Sequence, residues 1–351
     1  MKSILCATKF SYLHERLYFQ NEVEGAIGYV DILNGRVHFI ENLPTMLVDI
    51  DTRKGIMYSF QHKVLAICNK GRSIYEISLN DNIYDIIPTN NGTQENMEWA
   101  GIFNYHDKIY AFGRKNGFIL KINLETKQVI FDNTGILDML MWVVNFENFI
   151  YGVSWNCKYM YKYNLDTKQV ERFNIKIPKQ IQFESNTSIP LHGMQIIDGI
   201  IYMHDKKLVL KFDISTKKTN ILYENEYGNN GSRIVILDNS IIIPTVEQTQ
   251  FLIIDKQSGR VREIRKLPQN IKIVPGWKGS GEPCYAEKIV YLPIINSDRV
   301  LCIKRDTLDF DWLQLKFDNT NIDKVMQNML KQAILLKEGF VLNLKEYINN
   351  I

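Results

Sequence analysis

The chain has 351 residues, of which 45% are hydrophobic and 23% are charged. This ordinary globular composition excludes intrinsic disorder and a collagen-like structure. The formal net charge of +3 is too small for the basic surface that nucleic acids require, so no nucleic-acid partner is expected.

A short segment recurs along the chain. It first stands at 30–37 (VDILNGRV), and a degenerate copy ends at Tyr84. Two nearly identical copies follow at 122–129 (INLETKQV) and 163–170 (YNLDTKQV), then looser copies at 212–219 (FDISTKKT) and 254–261 (IDKQSGRV), and a degenerate copy ends at Trp312. Successive copies end 41 to 51 residues apart. Seven copies at this period predict an all-β, seven-bladed β-propeller.

Each repeat is also predicted to contain four short antiparallel strands. In the third repeat the apolar runs are 100–105, 108–112, 118–122 and 128–131. Glycine and polar residues separate the runs, and Asn34-Gly35 is a strong hairpin signal, since its turn type needs φ > 0 at both central residues. A pair of stacked β-sandwiches is the less favoured alternative, because sandwiches do not generate seven evenly spaced copies.

The last part of the chain departs from the repeat. Residues 322–332 have helical spacing, 333–336 form a short apolar run, and 342–351 form a second candidate helix. We therefore predict a propeller over residues 1–318 and a short α/β capping or closing segment over 319–351.

The repeated motif resembles bacterial propeller repeats of the PQQ-like, YVTN and virginiamycin-lyase-like families. The residues behind this resemblance are 31–37, 123–129, 164–170, 213–219 and 255–261. The resemblance extends over about residues 1–318 and implies a fold rather than a chemistry. The tryptophan that closes each PQQ-binding repeat is missing, as Phe131, Phe173 and Leu222 show. No cofactor is therefore expected.

Four connections between predicted blades are long, and the propeller resemblance implies that they gather on one face. They are 88–98, 176–191, 224–232 and 268–282. The last contains Trp277, Lys278 and Glu282 among flexible glycines. This mixture suits stacking on a sugar or clamping an anionic group, whereas the alternative is that Trp277 only packs.

Four further candidates stand near the start of the innermost strand in consecutive repeats. Trp99 and Trp142 offer large apolar faces for a ligand, but packing between blades is the favoured interpretation for each. His192 is a candidate general base or metal ligand, with a structural role favoured. Arg233 occupies the equivalent place in the next repeat. The HxH, HExxH and HxxxH pairs of local metal sites are absent, so no metal is predicted.

The five cysteines are widely spaced, without a CxxC pair, which predicts free thiols and a reducing compartment. Cys68 and Cys302 lie in strand runs and are expected to be buried. Cys157 is interpreted as an incidental surface thiol, and the less favoured alternative is a thiol whose pKa the neighbouring Lys158 lowers. The N-terminus lacks a signal-peptide pattern, and no run of about 18 apolar residues occurs. These features predict a cytoplasmic protein without a membrane span, and abundant Ile, Asn and Lys indicate a low-GC bacterium.

Two functions remain open. The favoured one is a non-catalytic propeller that binds a protein, peptide or glycan through its loop-rich face. The alternative is a lyase or hydrolase acting on a carbohydrate-like or peptide-like substrate, with His192 and Glu282 as candidate catalytic groups. An assembly subunit, which an exposed apolar patch would mark, is a third possibility.

Overall fold

The computed structural model describes the strands and most of their hairpins. The described residues are 9–20, 27–40, 56–67, 73–78, 84–88, 99–115, 117–175, 191–205, 207–226, 233–245, 250–266, 280–295, 297–318 and 320. The predicted closing segment 319–351 therefore lies outside them, except for Thr320. The chain divides into two compact units, Met1–Ile86 with Pro268–Ile351, and Ile87–Leu267.

The first unit contains three antiparallel sheets, named blades 1, 2 and 7. Blade 1 consists of β1 (Phe10–Leu13), β2 (Arg16–Gln20), β3 (Ile27–Asp31) and β4 (Arg36–Phe39). Blade 2 consists of β5 (Ile56–Phe60), β6 (Lys63–Ile67), β7 (Ser73–Ser78) and β8 (Tyr84–Pro88), of which the last two residues belong to the second unit. Blade 7 consists of β25 (Cys284–Tyr285), β26 (Ile289–Pro293), β27 (Arg299–Lys304) and β28 (Phe310–Gln314).

The second unit contains blades 3 to 6. Blade 3 is β9 (Trp99–Tyr105), β10 (Lys108–Gly113), β11 (Phe118–Asn123) and β12 (Gln128–Asn133). Blade 4 is β13 (Leu140–Phe146), β14 (Phe149–Ser154), β15 (Tyr159–Asn164) and β16 (Val170–Asn174). Blade 5 is β17 (Gly193–Ile197), β18 (Ile200–His204), β19 (Leu208–Asp213) and β20 (Lys218–Glu224). Blade 6 is β21 (Val235–Ile236), β22 (Ser240–Pro244), β23 (Gln250–Asp255) and β24 (Val261–Lys266).

In every blade the four strands are neighbours in chain order. The predicted fold class, an all-β seven-bladed β-propeller of four-stranded antiparallel blades, is thus confirmed. Within each unit, neighbouring blades pack their apolar faces together. Phe212 of blade 5, for example, belongs to one buried cluster with Met141 and Tyr151 of blade 4. No helix in the described part of the chain is long and apolar enough to cross a membrane.

The repeated motif has a structural explanation in the last hairpin of blades 3 to 6. Its Asp or Asn side chain accepts hydrogen bonds from the second and third following backbone amides, as Asn123 does from Glu125 and Thr126 at 3.0 and 2.9 Å. The fourth following residue has positive φ and is Gly or Lys, for example Gly259 at 72° and Lys127 at 56°. The motif therefore encodes an Asx-type turn rather than a ligand site.

A fifth strand extends blade 1. β29 (Lys316–Phe317) follows the last strand of blade 7 and pairs in parallel with β4, and the Lys316 amide donates to the Gly35 carbonyl at 2.8 Å. Residues from the C-terminal end of the propeller are thereby hydrogen-bonded to its first blade. Such pairing covers an edge that would otherwise expose unpaired backbone groups.

Candidate functional site

Trp142, near the start of the inner strand of blade 4, is surrounded by basic side chains. Its indole Nε1 donates to the Leu191 carbonyl oxygen at 3.0 Å. The guanidinium carbon of Arg233 lies 4.1 Å from the centre of the ring, and that of Arg114 lies 5.3 Å from it. Both distances are typical of cation–π contacts, so one indole supports two positive charges.

The strand ends explain why residues from four blades meet here. Arg114 follows the second strand of blade 3, while Leu191 and Arg233 precede the first strands of blades 5 and 6. In an antiparallel sheet the end of the second strand lies beside the start of the first. The Leu140 amide donates to the Arg114 carbonyl at 2.8 Å, which holds the Arg114 loop beside the strand that carries Trp142.

Two histidines lie next to this group. The His192 amide donates to the His204 carbonyl at 2.8 Å, and the two rings meet edge to face with centroids 6.1 Å apart. His204 is only 1% exposed, and neither of its ring nitrogens has a hydrogen-bond partner in the described part of the chain. Unsatisfied buried groups are uncommon in native proteins and are typical of functional positions.

Burial determines the charge of His204. Removal from water lowers its pKa well below the usual value for histidine, and the nearby His192 and Arg233 lower it further. The backbone of Asp205 acts weakly in the opposite direction. His204 is therefore neutral near pH 7, and the positive charge of the site belongs to Arg114 and Arg233.

Three of the predicted site residues are thus brought together in the second unit, namely Trp142, His192 and Arg233. Trp99 is 6% exposed and pairs with Gly113 at a bulge of blade 3. Glu282 belongs to the first unit and forms a 3.0 Å ion pair with Lys9. Trp277 and Lys278 lie outside the described residues, as do most residues of the four long connections.

Sequence reasoning missed Arg114 and His204. Arg114 lies in the segment Gly113–Gly117, between the second and third strand runs of its repeat, where the sequence predicts only a turn. His204 ends an apolar strand and has no motif of its own. Both stand at the end of the second strand of a blade. This position could have identified them as candidates, because it lies beside the start of the inner strand, where the other candidates are.

Both interpretations of Cys157, as a surface thiol and as a thiol with a lowered pKa, are wrong. The residue stands in a turn with φ 54° and is 3% exposed, because it packs in the core between blades 4 and 5. Burial raises its pKa to about 12, whereas Lys158 is exposed. Cys302 is only partly buried, contrary to expectation, and Cys68 lies outside the described residues.

The described thiols of Cys157, Cys284 and Cys302 are all free, as predicted for these three. Among the side chains that the structure describes, no group of three or more His, Cys, Asp or Glu residues is arranged to hold a metal ion. The chemistry of the Trp142 group is therefore that of guanidinium, imidazole and indole.

Comparison with known proteins gives a fold and no family. No protein-family model matches the chain, and no curated protein matches it in sequence. Among solved structures, a catalytically inactive variant of virginiamycin B lyase from Staphylococcus aureus, with quinupristin, is 10% identical, with a TM-score of 0.60 over 84% of this chain and 96% of that one. Dihydro-heme d1 dehydrogenase NirN is 12% identical, with a TM-score of 0.56 over 90% of this chain and 67% of that one.

The WD40 repeats of RRP9 are also similar, with 11% identity and a TM-score of 0.53 over 72% of this chain and 78% of that one. These three proteins differ in chemistry while sharing the propeller fold. The similarity therefore establishes the architecture, and the function must be argued from the residues.

Proposed function

We propose that the protein is a non-catalytic binding protein whose ligand presents an anionic group to Arg114 and Arg233. The observation that carries this proposal is the placement of both guanidinium groups on the single indole of Trp142. Two guanidinium groups held on one indole concentrate positive charge, which attracts an anionic group that contacts them. Guanidinium groups also match the geometry of carboxylate and phosphate oxygens.

The same contacts argue against Trp142 as an open platform for a neutral sugar ring. A guanidinium at 4.1 Å from the ring centre occupies space that a stacked sugar would need. The indole N–H is already donated to Leu191. Trp142 thus acts as a positioning residue that holds the two arginines, and the charged groups make the contact with the ligand.

An acidic peptide segment is the ligand that we favour. The connection from blade 3 to blade 4 carries Leu137, whose side chain is 90% exposed, three residues before Leu140 and its hydrogen bond to Arg114. A peptide supplies both a carboxylate for the arginines and an apolar side chain for Leu137. An acidic glycan shares the charge but lacks the apolar group, so the two are separable by experiment.

A lyase or hydrolase remains the second candidate, and its support is the pair of histidines. His192 is partly exposed and its ring meets that of His204, which Arg233 also approaches, and imidazole is the commonest general base in enzymes. In this version His192 removes a proton from the substrate while Arg233 stabilises the developing negative charge. His192→Gln would then abolish turnover but leave the affinity for the substrate within about threefold.

The test begins with a displayed random peptide library and an array of acidic glycans. The tightest peptide is then titrated against the wild-type protein and the variants Arg233→Gln and Arg114→Gln. Each substitution removes a charged hydrogen-bond donor, which costs about 2 kcal/mol or about 30-fold in Kd. Arg172→Gln is the matched control, because Arg172 also lies over an aromatic ring, at 4.6 Å from Tyr159, but on the outer strand of blade 4.

Selection of acidic peptides whose binding is lost in the first two variants and kept in Arg172→Gln supports the proposal. If only acidic glycans are selected, the ligand of this site is an acidic glycan and not a peptide. Ligands that bind all four proteins equally, or an enrichment of neutral ligands, overturn the site assignment.

A further inference from the structure

A pair of histidines joins the tips of two hairpins in the first unit. The Nε2 atom of His14, in the β1–β2 loop of blade 1, lies 3.0 Å from the Nδ1 atom of His62, in the β5–β6 loop of blade 2. The rings are nearly parallel, with an interplanar angle of 8° and centroids 5.2 Å apart. Both side chains are exposed and therefore open to solutes, and they belong to the first unit, whereas Trp142 belongs to the second.

Short hairpin loops hold the two rings close to each other. Each hairpin closes through a two-residue loop, since Leu13 pairs with Arg16 and Phe60 pairs with Lys63. Three residues before the histidines, the Ser59 hydroxyl donates to the Ser11 hydroxyl at 2.7 Å and fixes one hairpin against the other. The two imidazoles are therefore presented by short, rigid turns rather than by flexible loops.

We propose that His14 and His62 form a binding site for a divalent transition-metal ion of tetragonal geometry, such as Cu²⁺ or Ni²⁺. Imidazole nitrogens bind such ions at about 2.0 Å, so two nitrogens in adjacent positions at 90° lie about 2.8 Å apart, against about 3.3 Å in a tetrahedral site. The two nitrogens are hydrogen-bonded at 3.0 Å, which falls between these two values, so an ion can replace the shared proton with little change in the separation of the nitrogens. The choice of Cu²⁺ rests on its lead in the affinity order for nitrogen ligands.

Binding requires both histidines to be neutral, with the proton on the nitrogen remote from the ion. That arrangement places the protons on His14 Nδ1 and His62 Nε2, and small rotations of the exposed rings then direct both lone pairs at one point. The nearby charges are Glu15 in the same loop and Lys63, which forms a 2.6 Å ion pair with Glu76. Because the described residues contain no three-ligand group, water completes the coordination.

The experiment titrates the full chain with Cu²⁺ in a non-coordinating buffer, followed by calorimetry and by electron paramagnetic resonance. The variants are His14→Asn and His62→Gln. His106→Asn is the matched control, because His106 occupies the same loop position in blade 3 as His14 does in blade 1, with φ 52° against 46°. Asparagine is chosen at both loop positions since it tolerates positive φ.

We expect one Cu²⁺ per chain, with hyperfine splitting from two nitrogens in the electron paramagnetic resonance spectrum. The affinity for Cu²⁺ should fall at least tenfold in His14→Asn and in His62→Gln and stay unchanged in His106→Asn. Melting temperatures without metal verify that each variant is folded, and His62→Gln decides alone if His14→Asn is not. Wild-type affinity that persists in His62→Gln overturns the proposal, as does wild-type binding weaker than about 1 mM. An equal loss in His106→Asn also overturns it, because the site then lies elsewhere.

Discussion

Gly193 is the position where a single added carbon atom tests the geometry of the candidate site. It is buried at the start of β17 and pairs with His204 across the hairpin. A Cβ atom at this position would stand 2.7 Å from His204 Nε2 and 3.5 Å from Arg233 Cδ. Ordinary contacts of this kind begin near 3.4 Å, so the His204 ring must move by roughly 0.7 Å.

The expected cost follows from the lack of room for this movement. His204 is 1% exposed and its carbonyl is bound to the His192 amide, which limits both side-chain and backbone shifts. Overpacking of this kind costs about 1–3 kcal/mol, and replacing glycine by alanine in a strand recovers about 0.5–1 kcal/mol. Gly193→Ala should therefore lower the free energy of unfolding by about 1–2 kcal/mol.

The control is Gly113→Ala, in a strand of the same unit. A Cβ there would meet its nearest neighbour, the Phe118 carbonyl oxygen, at 3.4 Å, which is an ordinary contact. This variant should be neutral or slightly stabilised in urea denaturation. In a His204→Ala background, Gly193→Ala should lose most of its cost, because the obstructing ring is gone. If Gly193→Ala is as stable as Gly113→Ala in the wild-type background, the packing described around His204 is wrong.

Three further predictions concern turns and buried groups. Gly259→Ala should lower the free energy of unfolding in urea by about 2–4 kcal/mol, because φ is positive and the added Cβ would overlap the Leu222 carbonyl oxygen. Gly135→Ala, with φ 77° and no atom within 4 Å of the added Cβ, should lower it by only about 1 kcal/mol. Equal losses in the two variants would refute the overlap at Gly259. Cys157 should resist thiol reagents at pH 8 in the native state and react after denaturation, as followed by mass spectrometry of its peptide, because burial raises its pKa to about 12. The pKa of Asp255 is lowered to about 2, mainly by the Ser258 amide and hydroxyl, so its contribution to stability is present above the ordinary aspartate pKa and is lost as the pH falls towards 2. Asp255→Asn should keep the turn and show a flatter decline of unfolding free energy between pH 5 and 2, and an unchanged decline would contradict this.

The sequence by itself determined the architecture of this protein. The strands alternate with turns whose chemistry is local, because an Asp or Asn side chain bonds to amides only two and three residues away. Because copies of this turn motif recur along the chain, the period and the number of blades can be predicted from the sequence without any knowledge of long-range contacts. In blade 3, the predicted strands agree with the observed bounds to within two residues at each end.

Only the tertiary structure decided which side chains meet. Arg114, Trp142, His192 and Arg233 come from four blades. The last three share a place near the start of the innermost strand in their repeats, but no local pattern relates Arg114 to them. Their contacts depend on how antiparallel strands align their ends and how neighbouring blades pack within the second unit. Trp99 and Trp142 both stand at a bulge near the start of an inner strand, but their register differs. Trp99 pairs with the last residue of the second strand, whereas in blade 4 Leu140 takes that place and Trp142, further along, supports two arginines. Cys157 is likewise buried because residues of the neighbouring blade cover it. The polar residues around it in the sequence give no sign of this contact.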